Sequence, residues 1–383
     1  MYNLTATRRR PGNTSSPLPV IVSPGTSGSF SAAALKSPTR VLKAALAAAA
    51  AGLWVTTAAV ANDDDVLPQC RALQVPVSLA QVPGASLYGE LCVPATGTPS
   101  AVQLLVHGAT YNRYYSDWPY RPDFYSYVRQ MVGAGYATLN VERLGYGRST
   151  HPLSTLVTLP NGTEALRQVV DKLRSGEIGG RPFSRVIWVG HSLGTLYGWL
   201  EASVSQNVDA FVLTGLLHSV KPSWLALAGQ SAYPAALDAS FATSGLDTGY
   251  LTFKPGTRAP LFYWTPTAEP NVIALDERLK DTVSGTEFGT AVPLFNSPPP
   301  QTAPSQAIKV PTLVVVGQHD RVMCDEDGLI CNQENVANAE RPYYSPAARL
   351  RVLIAPDTGH DLQLHETAPE TGERILSWLS TLH

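Results

Sequence analysis

From about residue 73 onward, apolar and polar positions follow two alternating rhythms. Short apolar runs of strand length recur, and most are followed by a stretch with helical spacing. Residues 75–80 and 86–92 predict two early strands, with Pro83-Gly84 as the turn between them. Residues 102–106 form a continuous apolar run that suits a buried parallel strand and ends at His107-Gly108. A helix is expected over 124–132, closed by Gly133 and Gly135, then a strand over 136–141 and a helix over 163–173. A strand over 184–189, a helix over 193–202 and a strand over 210–213 follow. Residues 219–308 then lose this alternation and are rich in Pro, Ala, Ser, Thr and Gly. It resumes with strands over 312–316 and 350–354 and a closing helix over 366–382. The pattern predicts an α/β fold: a mostly parallel central sheet with helices on both faces. A structureless loop as long as 219–308 is improbable inside a compact domain, so an inserted cap or lid is expected there.

Composition narrows the class of protein. Hydrophobic residues make up 44% of the 383 positions and charged residues 15%, a balance that suits a globular enzyme. The net charge of -2 conceals an uneven distribution. Residues 1–61 carry six basic side chains and no acid, leaving the remainder with 22 basic and 30 acidic residues. A body that acidic has no electrostatic footprint for nucleic acid.

The basic front of the chain has the organisation of an export signal. Arg40 and Lys43 precede the alanine-rich run 44–61, which ends in Ala59-Val60-Ala61 and is followed by Asn62-Asp63-Asp64-Asp65. Cleavage after Ala61 is expected, with a membrane anchor as the alternative. Alanine contributes little to insertion, which argues against stable residence in a membrane. The expected organisation is therefore an extension and signal over 1–61, core segments over 62–218 and 309–383, and the cap over 219–308. The expected location is extracellular or periplasmic. Four cysteines agree with export, and Cys70–Cys92 and Cys324–Cys331 are the economical pairs among three connectivities.

The chemistry concentrates at Gly190-His191-Ser192-Leu193-Gly194, a G-x-S-x-G between an apolar strand and a helix. Glycines on either side of the serine let backbone approach closely in the sharp turn that presents a nucleophile. A serine hydroxyl needs a base to accept its proton. His360, on the loop after the last predicted strand, is the choice, with His365 in reserve. Asp320, just past the strand 312–316, is the expected partner that orients the imidazole, ahead of Asp325, Glu326, Asp327 and Asp357. The backbone amides of Leu193 and Ala109 are the expected oxyanion donors. The side chain of His107 is assigned a structural role. Nothing in the sequence indicates a metal or organic cofactor.

These residues together resemble the α/β-hydrolase superfamily over residues 73–382. The resemblance rests on His107-Gly108, the Gly190–Gly194 motif, Asp320 and His360, in that order. A looser marker is Glu142-Arg143-Leu144-Gly145-Tyr146-Gly147-Arg148-Ser149, similar to the family's D-x-R-G-x-G-x-S turn. Here Glu142 replaces the acid and Leu144 is inserted before the first glycine. The resemblance implies an α/β-hydrolase fold, a Ser192–His360–Asp320 triad and a carboxylesterase- or lipase-like hydrolase. The expected substrate is a small-molecule ester with an apolar acyl or alcohol group. Thioesterase, acyltransferase and carbon–carbon hydrolase activities share the triad, and a catalytically silent binding protein is the non-enzymatic alternative. An epoxide hydrolase or dehalogenase would place Asp at position 192.

Overall fold

The structure is a computed structural model that describes residues 68–295 and 300–382. The expected signal and its cleavage point lie outside the described residues. Eleven strands are present among those described: β1 (Gln69–Pro76), β2 (Ser86–Val93), β3 (Ala101–Val106), β4 (Ala137–Val141), β5 (Arg185–His191), β6 (Ala210–Thr214), β7 (Ala232–Pro234), β8 (Tyr250–Phe253), β9 (Val283–Ser284), β10 (Thr312–Gly317) and β11 (Arg351–Ala355). Eight of them form one sheet in the order β1-β2-β4-β3-β5-β6-β10-β11. Pairing is antiparallel at β1–β2 and β2–β4 and parallel everywhere from β4 to β11.

Sequence pattern and position in this sheet correspond. Every residue of β3, β4, β6 and β10 is buried, as strands covered on both faces must be. Each large apolar side chain so buried contributes about 1.5–3 kcal/mol to folding. The edge strand β11 alternates instead, and the opposite edge, β1, is mostly exposed. The long helix Leu159–Ser175 covers one face, its first turn capped by the Thr158 hydroxyl and its end closed by Gly176 at φ 84°.

Two predicted elements differ from those observed. The alternation at 75–80 reflects real burial of Val75, Val77 and Leu79, but the strand is Gln69–Pro76 and the chain leaves the ladder there. Its register is set by β2, with Cys70 directly opposite Cys92 and a disulfide joining them. The helix expected over 124–132 is two helices, Pro122–Tyr125 and Tyr127–Gly133. Ser126 adopts an extended conformation between them, and its hydroxyl caps the second by accepting from the Arg129 amide.

The chain leaves the main sheet at the end of β6 and returns at β10. The intervening insertion carries a three-stranded antiparallel sheet, β7-β8-β9, and the helices Pro222–Ser231, Arg258–Phe262, Pro270–Leu279 and Gly285–Phe295. A second disulfide, Cys324–Cys331, closes a short loop after β10. No helix among the described residues is long and apolar enough to cross a membrane.

Candidate active site

Ser192 follows β5 immediately and precedes the helix Leu193–Val204, with φ 53° and ψ −116°. A positive φ strains a residue with a side chain and persists only where surrounding structure enforces it. Tight packing supplies that enforcement. A Cβ at Gly190 would lie 2.3 Å from the Gly194 carbonyl oxygen, and one at Gly194 would lie 2.0 Å from that of Val106. Trp188 Nε1 donates to the Gly194 carbonyl from beneath the turn, and the Thr195 hydroxyl donates to the Gly190 and Thr214 carbonyls.

His360 and Asp320 come from the same edge of the sheet. Asp320 lies three residues beyond β10, where its Oδ1 accepts from the Val322 amide at 2.9 Å. His360 lies five residues beyond β11, and its Nδ1 is 3.0 Å from each Asp320 oxygen. Both side chains are almost fully buried. Burial opposes charge on the His360 ring, but the Asp320 carboxylate and its hydrogen bond, with Asp361 beyond, raise the imidazole pKa above its ordinary value.

Ser192, His360, Leu193 and Ala109 line one cavity. Its remaining wall is apolar: Tyr111 from the loop after β3, Leu216, Val220 and Val322, and five aromatics of the insertion, Trp224, Phe253, Phe262, Phe288 and Phe295. The enclosed space is about 30 Å³. Gly108 packs directly beneath the serine, since a Cβ there would lie 3.0 Å from the Ser192 Cβ. Leu193 begins its helix, so its N–H belongs to the group that intrahelical bonding leaves unpaired.

The other candidates fall elsewhere. Both ring nitrogens of His365 are engaged: Nε2 accepts from the Gly359 and Trp264 amides, and Nδ1 meets the Asp361 carbonyl. Asp325 pairs with His319, Glu326 with Lys221, and Asp327 accepts from Ser223. His107 is buried, its Nδ1 at the Gly108 carbonyl and its Nε2 accepting from the Arg143 amide.

A second layer of acids was not legible in the sequence. Asp361, beside the candidate base in the chain, is fully buried and accepts from the Tyr111 hydroxyl at 2.5 Å. That hydroxyl also lies 3.2 Å from Asp276, which is paired with Arg258 and accepts from Tyr263. Burial holds the Asp361 and Asp276 pKa values above the usual carboxylate range. His191 lies on the other side of Asp361, with 3.7 Å between its Nε2 and Asp361 Oδ1, and burial keeps this imidazole neutral. Among the described residues, His191, His360 and Asp361 are the group whose donor atoms gather as metal ligands would, within 4.8 Å of one another. His360 Nδ1 is already committed to Asp320, which leaves its Nε2 as the donor on that side.

Residues 103–371 match the family model described as "Alpha/beta hydrolase family". Solved structures agree on the fold. A thermophilic esterase from Thermogutta terrifontis (malate bound) superposes with TM-score 0.54 at 18% identity, covering 82% of this chain and 99% of that one. An enol-lactonase from Burkholderia xenovorans gives 0.52 at 18% identity, covering 79% and 99%. An esterase from Exiguobacterium antarcticum gives 0.52 at 16% identity, covering 80% and 100%. No curated protein matches the chain.

Proposed function

The chain belongs to the alpha/beta hydrolase family, and on that premise we propose that it is a secreted serine esterase with Ser192 as nucleophile, His360 as general base and Asp320 as the orienting acid. One observation carries the reading: the imidazole held by Asp320 lines the same cavity as the strained serine. His360 accepts the Ser192 proton as the hydroxyl oxygen attacks an ester carbonyl. The resulting oxyanion receives hydrogen bonds from the Leu193 and Ala109 amides. His360 then protonates the leaving alcohol, and an acyl group remains on Ser192. Water, deprotonated by His360, attacks the acyl-enzyme, releasing the acid and returning the proton to Ser192.

Apart from His360, the cavity wall offers no titrating group below the pKa of a tyrosine, so a neutral substrate with an apolar acyl or alcohol portion fits it best. The room within it for a water-sized molecule, about 30 Å³, is too small for an ester of several heavy atoms. The insertion therefore acts as a cap that must yield to admit substrate. The two disulfides favour an oxidising compartment, in line with the signal expected before Asn62.

A fluorophosphonate probe tests the reading. Labelling that maps to Ser192, disappears in Ser192→Ala and accompanies hydrolysis of p-nitrophenyl esters is expected. Folded protein inert towards both reagents would overturn it.

A further inference from the structure

The esterase reading requires the Ala109 N–H to point at the oxyanion, and the surroundings of the Gly108 carbonyl explain what aims it. A peptide unit is planar and trans, so its C=O and N–H point in opposite directions. The Ala109 N–H shares its peptide with the Gly108 carbonyl, and that oxygen is held by two donors. His107 Nδ1 lies 2.9 Å away and Arg143 Nη2 3.3 Å. Fixing the oxygen on that side fixes the N–H on the other, at a residue that lines the cavity beside Ser192.

The protonation state of His107 agrees. The Arg143 amide donates to His107 Nε2 at 3.0 Å, so the ring proton sits on Nδ1, facing the Gly108 oxygen. Burial, reinforced by the Arg143 charge, holds the His107 pKa well below its usual value, and the neutral ring persists. Arg143 grips the loop a second time, donating from Nε to the His107 carbonyl at 3.2 Å. Hydrogen bonds from a cation polarise the peptide and make its N–H a stronger donor.

Arg143 is itself held from outside the core. Its guanidinium is buried and pairs with Glu287, on the helix Gly285–Phe295 of the insertion. Glu287 also accepts from the hydroxyls of Tyr146 and Tyr197 at 2.5 Å each. The next residue, Phe288, lines the cavity. One helix of the insertion thus contacts both the space for substrate and the cation that orients the oxyanion peptide.

We propose that Arg143 is the positioning residue for the Gly108–Ala109 oxyanion peptide, and that Glu287 makes this position depend on docking of the insertion. The proposal rests on the serine-esterase reading. Loss of a solely structural ion pair would lower stability without selectively weakening transition-state binding, and this difference defines the test.

Arg143→Lys keeps the charge but loses the fork that reaches two carbonyls, and Glu287→Gln keeps the shape but loses the charge. A stability control is Glu340→Gln, which weakens the buried His218–Glu340 pair, formed at 2.8 Å outside the cavity. All are assayed as full-length protein well below their melting temperatures, with a p-nitrophenyl ester and an alkyl boronic acid that mimics the tetrahedral intermediate on Ser192. The expected result is a fall in kcat of roughly 10- to 100-fold for both site variants, less than removal of a whole oxyanion donor. KM should stay within about twofold, and boronic acid affinity should fall in step with kcat. Glu340→Gln should lose melting temperature and keep kcat. Retained kcat and boronic acid affinity in the site variants, or an equal loss in Glu340→Gln, would overturn the proposal. If Arg143→Lys does not fold, Glu287→Gln decides by the same two readings; if neither folds, a slower phosphonate reaction in Tyr146→Phe, which loosens Glu287 alone, is expected, and an unchanged rate overturns it. Wild-type protein inert to phosphonate and boronic acid would remove the esterase premise, an outcome distinct from active wild type with unimpaired variants.

Discussion

His360 presents Nδ1 to both carboxylate oxygens of Asp320 at the same distance, 3.0 Å. A carboxylate in that position fixes the tautomer that leaves Nε2 free of its proton and stabilises the ring once it is charged. Asp320→Asn keeps the shape and loses both effects. Its kcat should fall by on the order of 10³–10⁴ while the melting temperature changes far less. Hydrolysis kinetics beside a thermal melt check this.

The same contact sets a pH dependence. Only neutral His360 accepts a proton, and its pKa lies above the 6.5 of an ordinary imidazole. The acid limb of kcat/KM, which reports the free enzyme, should therefore have its midpoint above 6.5, with activity lost as pH falls through it. A midpoint at or below that value would count against His360 as the base. In Asp320→Asn the residual activity should show a lower midpoint.

Gly108 and Ser192 are neighbours through space, and a Cβ on Gly108 would lie 3.0 Å from that of the serine. Gly108→Ala should push the loop after β3 and the proposed nucleophile Ser192 apart by a few tenths of an ångström. A loss of roughly 10- to 100-fold in kcat is expected, since small misplacements of reacting groups are expensive in rate. The phosphonate labelling rate measures the same displacement.

Phe288 fills part of the cavity from the insertion and is half-buried, so shortening it should cost little stability. Phe288→Ala should shift preference towards longer acyl chains by raising kcat/KM for hexanoate or octanoate relative to acetate, by about 10-fold or more. An unchanged ratio would mean that this side chain does not limit the acyl group.

Glu201 lies buried on the helix that begins after Ser192, and burial pushes its pKa up to about 7. The folded protein therefore binds this proton more tightly than the unfolded chain does. The contribution to stability is fully present below about 4.5 and is lost as pH rises to about 7. Glu201→Gln should be more stable than wild type at pH 8, by up to about 3 kcal/mol, and nearly equal to it at pH 4.5. Urea titrations at the two pH values provide the comparison.

The features read from sequence are those with local causes. The G-x-S-x-G turn declares itself because its strand, glycines and helix are contiguous. Asp320 and His360 stand out because each follows an apolar strand, and parallel strands deliver their ends to one edge. The strand expected over 75–80 differs from the observed Gln69–Pro76 because alternation registers burial, and Val77 and Leu79 are buried without being in the ladder. Arg143 and Glu287 lie 144 positions apart, and nothing local marks them as partners. Of the aromatics in the loop after β3, Tyr111 reaches the cavity, whereas Tyr115 stacks on His191 and Trp118 is buried in the core. Composition supplies the ring, and only tertiary packing decides what it faces.

The Cys324–Cys331 bridge closes a loop whose first turn hangs from Asp320, because the Asp320 carbonyl accepts from the amides of Met323 and Cys324. A thiol reductant that opens this bridge would release a tie on the chain directly downstream of the carboxylate that holds the His360 ring. On the proposed esterase reading, the redox potential of the surroundings then bears on the placement of Asp320 as well as on durability.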